Sequence, residues 1–166
     1  MKSIRSVAML VWPVLLCISE RALAAYSCSV SSGGSINFLT YDPNTAPPTA
    51  NATITLTCNH LSGGNADIPW TMTLSNGSSG TCLGVTGRTM QRQASPAATV
   101  GYNIYQNSTS AEWGNTGCGT FPGGTLKVNN GNPVESTVQT LRGVMPAGQL
   151  VPSGSYAETL VLTVTF

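Results

Sequence analysis

The chain has 166 residues, with 7 Lys+Arg, 6 Asp+Glu, a net charge of +1, 18 Gly and 10 Pro. Charge is only 8% of the sequence, which excludes the basic footprint of a nucleic-acid binder. Gly and Pro at this level favour turns and strands over helices, and the length suits one domain.

Residues 1–24 carry the signature of an export signal. Lys2 and Arg5 make a positive start, Ser6–Ile18 is apolar, and Ala22-Leu23-Ala24 is a small-x-small cleavage site. The apolar run is well short of the roughly 20 residues that span a bilayer. Cys17 follows Leu16, where a lipoprotein processing site wants a small residue, so it is expected to leave with the leader. Removing residues 1–24 leaves a predicted domain of 142 residues, 25–166. Its cations are Arg88, Arg92, Lys127 and Arg142, and its anions Asp42, Asp67, Glu112, Glu135 and Glu158, for a net charge of −1. That leaves little scope for binding phosphate or an anionic membrane, and no membrane insertion is expected after the leader is removed.

In chain order, Ser35–Phe38 alternates polar and apolar and is expected as a short strand. Turn residues follow at Tyr41–Asn44 and Ala46–Pro48. Ala52–Cys58 puts Ile54, Leu56 and Cys58 on one face and three Thr on the other, a half-buried antiparallel strand. His60 is placed in the Gly-rich loop that follows. Ile68–Leu74 alternates again, and Ser75–Gly80 is a loop. Val100–Tyr105 sets Val100, Tyr102 and Ile104 on one face and leaves Tyr105 exposed on the other. Leu126–Val128 and Val138–Val144 are weaker strands. In the last run Leu160, Leu162, Val164 and Phe166 share a face. No window holds a helical apolar period with caps, so the spacing predicts an all-β sandwich.

The exported segment keeps Cys28, Cys58, Cys82 and Cys118. An even count behind an export signal reads as two disulfides. Three connectivities are open, and the sequential one, Cys28–Cys58 with Cys82–Cys118, is preferred. A metal site is not expected, because the chain has one His and no Cys-x-x-Cys. No cofactor motif is present.

Catalytic signatures are missing. Gly77-Ser78-Ser79-Gly80 lacks the spacing and the following helix of a nucleophile elbow. His60 is the only His available to a Ser–His–Asp site. The spacing of Asp67, Glu112 and Glu158 does not suggest a glycosidase pair. The chain is therefore read as non-enzymatic. Trp70, Trp113, Tyr102 and Tyr105 are the candidates for a sugar-stacking platform, against the plainer reading that they pack the sandwich.

Ordered landmarks span most of residues 25–166. They are Cys28, Ile36-Asn37-Phe38, Tyr41-Asp42, Ile54–Cys58, Trp70–Leu74 with Ser75-Asn76-Gly77, and Arg88-Thr89-Met90. Val100–Tyr105, Trp113-Gly114-Asn115, Val144–Gln149 and Gly154–Phe166 complete the series. In this order the pattern resembles a spore coat protein U domain, the family of subunits of archaic, Csu-type chaperone–usher pili. Ala157-Glu158 departs from the acidic pattern common there, but Glu158 keeps the acid.

The resemblance implies an incomplete immunoglobulin-like antiparallel β-sandwich lacking its final strand. It implies an apolar groove filled by a periplasmic chaperone, then by a strand from a neighbouring pilin subunit at the outer-membrane usher. Leu160, Leu162, Val164 and Phe166 are the residues expected to line that groove, with the Phe166 carboxylate a candidate anchor for basic chaperone residues. The expected location is the periplasm and then the cell surface, in adhesion and biofilm. Cleavage at Ala24 leaves only Ala25-Tyr26-Ser27 before Cys28, too little for a donor strand. The expectation is a subunit that accepts a strand without giving one, at a tip or terminal position. A standalone spore or cyst coat protein and a secreted carbohydrate-binding sandwich are the alternatives.

Overall fold

A computed structural model describes residues 24–45, 48–107 and 109–166. Apart from Ala24, the predicted leader lies outside the described residues. Nine strands follow in order: β1 Ala25–Ser32, β2 Thr49–Ser62, β3 Ala66–Leu74, β4 Arg88–Arg92, β5 Thr99–Gln106, β6 Gly123–Val128, β7 Val134–Val144, β8 Tyr156–Ala157 and β9 Leu162–Thr165. They form a six-stranded sheet in the order β1-β2-β7-β5-β4-β8 and a three-stranded sheet in the order β6-β3-β9. Every paired strand is antiparallel.

Alternation in the sequence builds the layers. Ile54, Leu56 and Cys58 of β2 point inward, as do Ile68, Trp70, Met72 and Leu74 of β3. With Val100, Ile104, Leu126, Val128 and Leu141 they form one apolar core shared by both sheets. This is the all-β antiparallel sandwich that the strand spacing predicts. Two disulfides, Cys28–Cys58 and Cys82–Cys118, tie β1 to β2 and the β3–β4 connection to the loop before β6.

Three local expectations need correction. Ser35–Phe38 is not a strand. Gly33 adds one more bond to β2, from its N–H to the Thr53 carbonyl at 2.7 Å, and Gly34 then turns the backbone at φ 122°. The first strand instead lies upstream, at β1. His60 sits inside β2, opposite Tyr26, with its Nε2 3.0 Å from the Gly64 carbonyl oxygen. Tyr105 is buried, because β5 is covered on both faces. Segment 111–113 pairs along the edge of β5, with Gln106 N–H donating to Ala111 O and Trp113 N–H to Ile104 O, and the Arg142 guanidinium lies 5.0 Å from the Tyr105 ring centroid.

Candidate functional site

The C-terminal segment crosses from one sheet to the other. β8 ends the six-stranded sheet on β4, and β9 ends the three-stranded sheet on β3. β9 pairs Leu162 with Leu74 and Val164 with Met72. Its opposite edge has no strand partner among the described residues. Leu160, Leu162 and Val164 lie half-buried against the core, while Val161, Thr163 and Thr165 are exposed. Three of the four predicted groove residues thus share one face. Phe166 lies beyond the strand and is 49% exposed.

A cavity of about 540 Å³ opens upstream on the same segment. One wall is 35–41 with Pro43, and the other is Gln149 with 151–156. Core residues Phe38, Val100 and Met145 and half-buried Ile36, Tyr41, Met90, Val151 and Tyr156 line it. Close approach at Gly143 of β7 seats one wall. A Cβ there would meet the Phe38 ring at 2.6 Å and Ile36 Cγ2 at 2.7 Å. Phe38 packs edge-on against Tyr102, with centroids 5.8 Å apart. The Tyr41 hydroxyl joins the walls, donating to Pro146 O at 2.8 Å and accepting from Gln149 N–H at 2.9 Å.

A polar network fixes the crossing. Glu158 accepts from Ser78 N–H at 2.6 Å, from Ser78 Oγ at 2.8 Å and from the Tyr102 hydroxyl. Burial first, and then Glu158, holds the Tyr102 phenol well above its ordinary pKa, so it stays a donor. Val161 N–H donates to Ser75 Oγ, and Ser75 N–H to Val161 O, both at 2.9 Å. Ser75 is held in turn by Arg88, which is fully buried. The guanidinium donates from Nε and Nη2 to Ser75 O, from Nη2 to Trp113 O at 2.7 Å, and from Nη1 to Asn103 Oδ1 at 2.6 Å. Asn103, also fully buried, donates to the carbonyls of Cys82 and Gly84. Carbonyl and amide oxygens solvate this buried cation. Desolvation lowers the Arg88 pKa against the opposing pull of Tyr102, Glu158 and Glu112.

Sequence reasoning did not single out Arg88, Asn103 or the Tyr102–Glu158 bond as positioning groups. The signal was a β5 run, Val100–Tyr105, without a charged residue, which is the mark of a strand buried on both faces.

The other candidate residues lie apart. Asp67 is 3.9 Å from Lys127 on the surface, Glu112 accepts from Gly84 N–H, and Glu158 belongs to the network above. Trp70, Trp113, Tyr102 and Tyr105 are all buried and present no stacking platform. The Trp113 indole donates to Met72 O at 2.9 Å.

The Spore Coat Protein U domain matches residues 14–163. Protein U of Myxococcus xanthus is 35% identical over 153 residues, covering 84% of this chain and 78% of that protein. Among solved structures, the CsuC–CsuE chaperone–tip adhesion subunit pre-assembly complex of Acinetobacter baumannii aligns with a TM-score of 0.48 at 18% identity. That alignment covers 86% of this chain and 40% of the other. HdaB, the E. coli Hda pilus minor tip subunit, aligns with a TM-score of 0.37 at 12% identity, covering 82% and 79%. The match along most of the chain, together with the Protein U relative, establishes that it belongs to the Spore Coat Protein U domain family.

Proposed function

We propose that this chain is a non-enzymatic subunit of a chaperone–usher pilus that accepts a β-strand from another protein along the open edge of β9. The observation that carries the reading is the half-buried row Leu160, Leu162 and Val164 beside an edge without a strand partner among the described residues. An added strand would satisfy the free backbone groups of that edge and place alternate side chains over the row. The cavity between 35–41 and 151–156 would take further side chains of the incoming strand. A periplasmic chaperone would supply the strand first, and a neighbouring subunit would replace it at the usher. Residues 1–24 serve as the leader in this reading, and the working location is the periplasm and then a surface fibre for adhesion and biofilm.

The terminal position in the fibre rests on β1. Residues 25–32 are paired with β2 and tied to it through Cys28–Cys58, so they are not free to be donated. N-terminal sequencing of the exported protein tests this. A start at Ala25 agrees, and a tail of about ten residues or more before β1, longer than a typical strand, would contradict it.

Strand acceptance itself is tested by titrating the refolded chain with a twelve-residue peptide alternating Val and Thr. At a hundredfold excess over Kd, binding to the folded state adds about 2.7 kcal/mol. The expected result is a rise in Tm that grows with the logarithm of peptide concentration and that Val164→Asp abolishes. No rise, or the same rise in V164D, would overturn the reading. A second reading follows from the family's name and the Myxococcus relative: a coat component without a fibre. It predicts a chain that folds alone and is indifferent to the peptide.

A further inference from the structure

The two sheets end in four edges: β1, β8, β6 and β9. Natural edges are blunted by shortness, charge, proline or covering segments. β8 has two residues, and β6 carries Lys127. β9 is the edge assigned above. β1 has none of these protections among the described residues. It is eight residues long, AYSCSVSS, without a charge or a proline. Cys28 is half-buried and the other seven residues are exposed.

The pairing of β1 with β2 shows which groups face outward. Cys28 lies directly opposite Cys58 with Cα atoms 4.1 Å apart. That short separation marks a non-hydrogen-bonded pair. Residues at such positions direct N–H and C=O away from the partner strand. By alternation Tyr26, Cys28, Val30 and Ser32 therefore offer their backbone groups to the free edge. The side chains of the same four residues share the face of Leu56 and Cys58. Tyr26 is 41% and Val30 43% exposed there, because six strands oppose only three. On the other face stand Ala25, Ser27, Ser29 and Ser31, all small and exposed.

We propose that the free edge of β1 pairs with β1 of a second copy, antiparallel about a two-fold axis through Ser29. In that register Cys28 meets Val30 of the second copy and Tyr26 meets Ser32, and each relation repeats by symmetry. The outward groups form about eight hydrogen bonds. Ser29 meets Ser29 of the second copy, with Ser27 opposite Ser31, so small hydroxyl side chains occupy the positions of closest approach. An uncharged strand with Ser27, Ser29 and Ser31 symmetric about the axis, and with bulky Tyr26 placed opposite small Ser32, is complementary to itself, which singles out a second copy as the occupant. The contact leaves β9 free and is independent of strand acceptance.

The test uses the exported chain with its disulfides intact, in sedimentation velocity from low micromolar to several hundred micromolar. A concentration-dependent dimer is expected for the parent. Ser29→Lys and Ser29→Glu, on the exposed face, should each remain folded by circular dichroism and be monomeric. Mixing S29K with S29E should restore the dimer, since opposite charges then meet across the axis. Val164→Asp should leave the dimer unchanged. A parent that is monomeric throughout, a dimer that survives in both single variants, or a mixture that stays monomeric would overturn the proposal.

Discussion

Arg88 is the strongest internal test of how the crossing segment is held. Arg88→Met keeps the length and the apolar stem but removes four hydrogen bonds to three acceptors: Ser75 O, Trp113 O and Asn103 Oδ1. Asn103 Oδ1 keeps the Ile104 N–H, but Ser75 O and Trp113 O lose their donors, at about 1–3 kcal/mol for each carbonyl left unpaired. Removing a buried cation that carries its own desolvation cost offsets part of this. The net loss is about 2–4 kcal/mol, because the groups left behind are neutral carbonyls and not an unpaired charge. For a domain of this size that lowers Tm by about 10 °C. Arg88→Lys keeps the charge, but its single ammonium cannot reproduce the fork that spans all three acceptors, so it should lose about half as much. Arg92→Met is the control, because Arg92 donates only to exposed carbonyls of Ser153 and Pro96 and should cost under about 1 kcal/mol. The assay is urea unfolding followed by far-UV circular dichroism with the disulfides intact. If R88M lies within about 1 kcal/mol of the parent, or matches R92M, the carbonyl-solvated cation is not what holds Ser75 and the approach to β9.

Three further outcomes are expected. The folded-state pKa of Tyr102 is raised above the unfolded value of 10.0. The folded state therefore keeps a proton that the unfolded state loses. The stability associated with it is fully present below pH 10 and falls as pH rises above it. A urea series from pH 8 to 11 should show this fall, reduced in Tyr102→Phe, and equal slopes in both proteins would refute the assignment. Replacing Cys82 and Cys118 together by Ser opens a loop of 36 residues and should lower stability by about 3 kcal/mol in the same urea assay. Gly114→Ala should prevent folding or cost at least about 3 kcal/mol, because its Cβ would lie 1.7 Å from Cys118 O and 2.6 Å from Cys82 Sγ. Soluble yield and circular dichroism read that outcome.

Much of the architecture was legible because period-2 alternation is a local signal. Thr53–Cys58, Ile68–Leu74 and Leu160–Val164 each declare an inward face, and the burial of these strands follows it. Where the structure departs, the cause is non-local. Ser35–Phe38 carries strand alternation, but Gly33 and Gly34 turn it off the sheet, and Gly143 gives Ile36 and Phe38 a seat against β7. β1 also alternates, with Tyr26, Cys28 and Val30 set among serines, yet a serine-rich stretch reads as loop until its pairing with β2 is known. Tyr105 and Asn103 face away from the sandwich core along β5, and only distant groups cover them: Arg88 and the Cys82 and Gly84 carbonyls close on Asn103, and Arg142 lies over the Tyr105 ring. The Arg88 site was the least legible. A buried arginine whose partners are carbonyl oxygens leaves no paired acid for a sequence pattern to find.

Amide hydrogen exchange over residues 160–166 reads strand acceptance at β9 itself. The exported chain would be compared alone and bound to the alternating peptide or to a co-expressed chaperone. Amides on the open edge of β9, exchanging freely in the isolated chain, should become protected on binding, while those of β1 should not change. Unchanged exchange across 160–166 in a complex that has demonstrably formed would contradict it.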